Sequence, residues 1–265
     1  MKKALFVLLL TAVAANTAAQ ESKNVYNFLR LPASAHASAL GGENISLMED
    51  DEALIFHNPA LLSAMSDKTI NLNYMNYMAG ASMLSAAFNK VVKERASAAV
   101  SALYIDYGKM KQTTVENQQL GEFSAKDIAL SGYFSYLLTD QLAGGVTAKL
   151  ITSYIGGYNS LAMGVDLGLN YYDAECELSL SFVAKNLGGQ LKSYGDTYES
   201  MPLDVQIGAS KRLVHTPLRF HATLVDLTHW NYKFMNHLVG GIDILLSDRI
   251  WVGACLLYTS PSPRD

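Results

Sequence analysis

The side chains here with chemistry to offer are six histidines, the acidic run Glu49 to Glu52, and the cysteines Cys176 and Cys255. His36, His57, His215, His221, His229 and His237 show no HExxH pair and no nucleophile motif. The acidic run could hold calcium, but it lacks the spaced ligands and turn glycine of a calcium loop, so a solvated turn is expected. Two cysteines are too few for a disulfide framework and lack metal-ligand spacing. Arg219 and His221 share one face of a strand-like segment, where hydrogen bonding inside the fold is the expected role. No catalytic, metal or cofactor residue is assigned, and an enzyme is not expected.

The elements that must position these groups read as strands. Half the residues are hydrophobic and only 17% are charged, against roughly 25% charged in soluble domains. After the N-terminus no run approaches the ~20 apolar residues of a membrane helix. A net charge of -4 with no basic patch argues against nucleic acid. Leu161 to Tyr172 alternates Leu161, Met163, Val165, Leu167 and Leu169 with Ala162, Gly164, Asp166, Gly168 and Asn170, a period of two whose faces meet different solvents. About eleven such segments follow Thr69, many of ten residues or more, as a tilted membrane strand requires. Asp127, Lys149, Asp166, Lys185, Asp204, Arg219 and Asp243 all fall on the polar face. That face is mostly Ser, Gly, Ala, Thr and Asn, which suits a lumen better than open water.

Connections alternate between short and long, as in barrels with tight periplasmic turns and longer outer loops. Thr139-Asp140, Asp173-Ala174, His215-Thr216 and Ser247-Asp248 are short. Between them lie Tyr107 to Lys126, Thr152 to Ser160, Gly188 to Met201 and Thr228 to Met235, with Ala79-Gly80 a short exception. Residues 1–19 have the basic start, apolar run and small-residue end of a signal peptide. Residues 20–67 form a partly helical segment in which Asn58 caps a helix led by Pro59. The barrel is placed at 68–256. An odd strand number and the tail at 257–265 suggest an incomplete wall with a non-native end.

Phe28-Leu29-Arg30-Leu31-Pro32, Gly41-Gly42-Glu43-Asn44, Phe56-His57-Asn58-Pro59-Ala60-Leu61-Leu62 and Lys185-Asn186-Leu187-Gly188-Gly189 resemble the FadL-like outer-membrane barrel family, in particular its PorV/PorQ branch. That resemblance spans nearly the whole chain to about Leu256. It implies an all-β antiparallel transmembrane barrel of about fourteen strands, plugged by the N-terminal segment through Gly41, Gly42, Asn58, Pro59 and Ala60. It further implies a bacterial (Bacteroidetes) outer-membrane component of the type IX secretion attachment complex. Its implied partners are PorZ-like, PorU-like and PorV-like proteins, membrane lipid and lipopolysaccharide, with sortase chemistry in the PorU-like subunit. Trp230, Tyr232 and Phe234 are the candidate partner contacts on an outer loop, although aromatics there also suit a membrane girdle. The alternatives are a FadL-type channel for hydrophobic solutes and a secreted sandwich adhesin.

Overall fold

The computed structural model describes residues 24–114, 118–213, 215–228, 234–247 and 250–257. The expected signal peptide, Trp230, Tyr232 and the residues after Leu257 lie outside them. Among the described residues no helix is long and apolar enough to cross a membrane.

The period-two pattern folds as read. β1 (Ile70–Asn76), β2 (Ser82–Lys93), β3 (Ala96–Thr113), β4 (Gln119–Leu137), β5 (Leu142–Ile155) and β6 (Tyr158–Asp173) lead into β7 (Leu178–Lys192), β8 (Asp204–Arg212), β9 (Leu218–Leu224), β10 (Leu238–Ser247) and β11 (Ile250–Leu257). They form one antiparallel sheet in sequence order, the wall of a barrel. β11 includes Leu257, which the sequence reading gave to the tail.

The question of which solvents the two faces meet is answered by an inverted burial pattern. On β6 the polar or small side, Ser160, Ala162, Asp166 and Asn170, is buried, while Met163, Leu167 and Leu169 are exposed. The same holds around the wall, from Leu72 on β1, 75% exposed, to Val252 on β11, 58% exposed. A water-soluble sandwich would bury those groups. All seven strand charges singled out above point inward and are buried. A Lys or Arg on the lipid side at mid-bilayer would cost ~2–4 kcal/mol. The wall is therefore that of a transmembrane barrel whose oily side faces lipid.

Two of the expected outer loops are largely strand, and a third begins as strand. β3 and β4 remain paired out to Thr113 and Gln119, and Lys109 bridges Glu122 at 3.4 Å. β5 and β6 meet at Gly156 and Gly157, and β7 runs on to Lys192. Beyond the bilayer both faces meet water, so nothing selects alternation there and the strand signal fades while the ladder continues.

The core lies inside the curve and is supplied by residues 24–69. After a 3-10 turn, Asn27–Arg30, comes the short helix α1 (Ala35–Ala39), capped by Ser34, whose Oγ accepts from the Ala37 N–H. Gly41 and Gly42 end it with φ of 98° and 84°, and the Gly42 N–H donates to Ala37 O at 2.8 Å. That closure needs left-handed backbone, which glycine adopts without a Cβ penalty. Two further 3-10 turns, Glu52–Phe56 and Pro59–Ala64, precede β1. Leu40, Ile45, Leu47, Leu54, Leu61 and Leu62 are fully buried. No segment this short builds such a core alone; the wall completes it.

Candidate functional site: the plug and the lumen that holds it

The plug meets the wall in three places, each with its own chemistry. At the short-turn end, Asn58, Pro59 and Ala60 sit in a notch made by inward glycines. Asn58 Oδ1 accepts from the Ala60 N–H at 2.9 Å, and Asn58 Nδ2 donates to Ile45 O at 3.0 Å and to Leu169 O at 3.4 Å. A Cβ on Gly145 would lie 2.6 Å from Pro59 O, with Pro59 C and Ala60 N closer still. A Cβ on Gly168 would lie 2.9 Å from Pro59 Cδ, with Asn58 Oδ1 closer still. These glycines leave the space that the plug fills.

At the short-turn end of β9 and β10 the plug is tied to these strands and to β11 by buried charge. His36 Nδ1 lies 2.7 Å from Glu49 Oε2, and its Nε2 lies 2.9 Å from Asp243 Oδ2. Two carboxylate acceptors require both ring nitrogens to donate, so His36 is the imidazolium. Burial alone would lower its pKa, but the hydrogen bonds to Asp243 and Glu49 raise it above the usual histidine value. Glu49, resisted by burial but bonded by His36 and Arg219, is held below the usual carboxylate range. Arg219 donates to Asp243 at 2.8 Å and also binds Glu49. His221 Nε2 faces Asp243 Oδ1 at 2.9 Å, while Asn44 Nδ2 donates to its Nδ1 at 3.0 Å, which fixes a neutral tautomer. Two cations therefore balance two anions. The Trp251 ring stacks on His36, centroids 3.6 Å apart and planes 8° from parallel, adding cation–π attraction.

Neighbouring pairs extend this latch. Lys185 lies 3.5 Å from Glu43, and Gln206 Nε2 donates to Glu43 at 2.8 Å. Lys149 bridges Asp166 at 2.6 Å and donates to Asn186 Oδ1 at 3.0 Å. Asn186, with φ of 59°, marks a register shift in the β6–β7 ladder. There a Cβ on Gly188 would meet Met163 O and, at 2.8 Å, Gly164 Cα. The Lys185 to Gly189 motif is thus an ion pair followed by a bulge.

At the long-loop end the lumen is apolar, which alternation alone did not reveal. Inward-facing Met83, Leu103, Ile105, Ala129, Ile151 and Ala162 form a chamber. The start of the plug fills it with Val25, Tyr26, Phe28, Leu29 and Leu31. Tyr107 closes over this cluster, its hydroxyl donating to Asp127 at 2.7 Å. The Tyr26 hydroxyl bonds Ser160 and accepts from Gln190 Nε2 at 3.2 Å.

The acidic run is not the solvated turn expected. Glu49 joins the latch, and Asp50 accepts from the Ser66 N–H at 2.8 Å. Asp51 caps the Glu52–Phe56 turn through the Ala53 N–H at 3.0 Å. Glu52 is buried and accepts from Thr69 Oγ1 at 2.6 Å. Each carboxylate has a different partner, so the four converge on no ion. Burial pushes the His57 pKa down to about 3, helped by the Lys185 charge. Of the candidate outer-loop aromatics, Phe234 opens a 3-10 turn and is 63% exposed. Trp230 and Tyr232 lie outside the described residues. Cys176 and Cys255 are free and exposed.

No protein-family model matches this chain, and no curated protein matches it. Solved structures do. The Pseudomonas putida toluene transporter TodX aligns at 14% identity with a TM-score of 0.54, over 83% of this chain and 81% of that one. A TodX deltaS2S3 mutant, a monoaromatic hydrocarbon channel, aligns at 15% identity and TM-score 0.49, over 86% and 76%. The monoaromatic hydrocarbon channel CymD aligns at 10% identity and TM-score 0.43, over 84% and 91%. At such identities the likeness to TodX is one of fold alone, and the two lower scores add no argument.

Proposed function

We propose that this chain is a plugged bacterial outer-membrane barrel that admits hydrophobic solutes through its lumen when the start of the plug withdraws. The observation that carries this reading is the apolar chamber at the long-loop end, occupied by Val25, Phe28, Leu29 and Leu31. Those side chains stand where an apolar solute would be sheltered from water, and burial of apolar surface is what would bind it. The fold shared with TodX, a toluene transporter, favours the same reading. In this account the ion latch holds the His36 to Glu49 part of the plug while the segment before it, seated in the apolar chamber, yields.

A second reading is favoured by a different observation. The residues that seat the plug, Gly41, Gly42, Asn58, Pro59 and Ala60, are the motif residues of the PorV/PorQ resemblance. In that reading the chain is a PorQ-type component of the type IX attachment complex. It holds a PorZ-like partner beside PorU-like and PorV-like proteins, through outer-loop residues that include Trp230, Tyr232 and Phe234.

One deletion strain distinguishes the two. Loss of toluene uptake, restored by the wild-type gene and altered by Phe28→Ala, supports the channel. Unchanged uptake, together with loss of the PorZ-like protein and sorting-domain cargo from the cell surface, rejects it in favour of the attachment role.

A further inference from the structure

Most of the inward strand charges stand beside a charge of opposite sign. Lys149 pairs with Asp166, Lys185 with Glu43, and Arg219 with Asp243. Asp204 faces Lys185 across the β7–β8 ladder. Asp127 is the exception. It is 7% exposed, faces Ile105 and Ser153 across its two ladders, and has no cation beside it among the described residues. The adjacent Lys126 lies 3.9 Å from Asp106 instead. Only hydroxyls serve the Asp127 carboxylate: Tyr107 donates to Oδ2 at 2.7 Å, and Ser153 donates to Oδ1. A carboxylate offers about four lone-pair sites, so about two stay open. A buried charge in that condition is costly until a cation meets it.

The surroundings of Asp127 suit an ammonium ion. Ile105, Ala129 and Ile151, which line the apolar chamber, flank it on β3, β4 and β5, so the carboxylate stands at the chamber's outer rim. Tyr107 approaches it from β3, and Tyr194, hydrogen-bonded to Ser153, from the connection after β7. A cation beside a carboxylate and against tyrosine faces gains ion pairing and cation–π attraction together, most where water is excluded. Tyr107 is also placed to move. It and Gly108 oppose the single residue Ala125 between the Asp106–Lys126 and Lys109–Ser124 pairs, and Gly108 has φ of 72°. Such a bulge lets a side chain be re-aimed while the ladder on either side stays paired.

We propose that Asp127, with Tyr107 and Tyr194, selects apolar solutes that carry a protonated amine, the ammonium resting on the carboxylate and the apolar body in the chamber. Selection of this kind rests on the channel reading, because the chamber must open to admit a solute. While the plug is seated, the Tyr107 and Ser153 hydroxyls occupy the places of the ammonium donors. A neutral hydrocarbon would fill the chamber but leave Asp127 unanswered, and an anionic solute would be repelled by it.

The test is calorimetric titration of the whole chain, in a mild detergent at neutral pH, with 2-phenylethylammonium, 2-phenylethanol and 3-phenylpropionate. The ammonium is expected to bind about tenfold more tightly than the alcohol, and the propionate most weakly. Asp127→Asn should bring ammonium and alcohol to equal affinity, with circular dichroism checking that the strands remain. Tyr107→Phe removes the competing hydroxyl but keeps the ring, and should retain the preference. Tyr194→Leu should reduce it about threefold. Equal affinities in wild type, or a preference that survives Asp127→Asn, overturn the proposal. So does an absence of ammonium binding to both wild type and Phe28→Ala, which opens room in the chamber. Toluene uptake by the deletion strain decides the channel separately. Uptake without an amine preference sinks only the selection; an amine preference without uptake keeps the site and removes the conduit.

Discussion

Gly145→Ala tests whether the inner glycines exist to admit the plug. The added Cβ would lie 2.6 Å from Pro59 O and nearer still to Pro59 C and Ala60 N, all backbone atoms with no rotamer to move aside. Either β5 bows outward or the Pro59–Ala64 turn lifts. Overpacking of this kind costs ~1–3 kcal/mol. Lifting the turn also strains the Asn58 bonds to Ala60 and Ile45, each worth about 1 kcal/mol net. Against this, alanine lowers unfolded-chain entropy, a gain of ~0.4–1 kcal/mol. The balance is a loss of about 1–3 kcal/mol, or roughly a 5- to 150-fold rise in the plug-displaced population. Hydrogen exchange of the amides between Ala53 and Met65 in detergent micelles reads that population directly. Gly132→Ala is the control, because a Cβ there meets nothing within 4 Å. If Gly145→Ala leaves those amides as protected as Gly132→Ala does, the notch does not hold the plug and the steric reasoning fails.

The latch makes two further predictions. Asp243→Asn leaves Arg219 and His36 facing one another without their shared anion; loss of a buried partner costs ~3–5 kcal/mol. Faster exchange at Ala37 and Leu40 than in wild type is the expected readout, and unchanged exchange would show that the cluster bears no load. The pH dependence has a definite shape. His36, raised above its usual 6.5, contributes fully below that value and loses its contribution as pH rises through the raised pKa. His57, lowered to about 3, contributes fully above 6.5 and loses ground as pH falls from 6.5 toward 3. Glu49, lowered, contributes fully above 4.5 and loses that contribution as pH falls from 4.5 through its lowered pKa. Plug protection should therefore peak just above 6.5 and decline on both sides. His36→Gln should flatten the alkaline limb and His57→Gln the acidic one; a pH-independent wild type would remove titration from the account.

Much of the wall was legible because lipid and lumen impose opposite demands on alternate residues, and Leu161 to Asn170 carries both in one short stretch. The helix-capping role of Asn58 and the inward placement of the strand charges followed from the same elementary rules. What stayed hidden was pairing across distance. Arg219 and His221 could be placed on one face, but nothing in the sequence brings them to Asp243, His36 and Glu49. The apolar chamber was also missed, since Leu103 and Ile105 alternate with Tyr104 as any strand would. A period of two says that faces differ, not which end of one face turns oily. The outer hairpins escaped for the opposite reason, because water on both sides erases the period.

The plug also sets an order of assembly. Tyr26 is bonded to Ser160, His36 to Asp243, and Leu40 packs against Gly241 and Gly253. These contacts join the earliest described segment to strands made far later, and distant contacts of this kind slow folding because the intervening chain must first be gathered. These plug residues are therefore among the last to be satisfied. Until β10 and β11 are in place, His36 and Leu40 have only part of a wall to hide behind, and a holding factor that shields them would act at that interval.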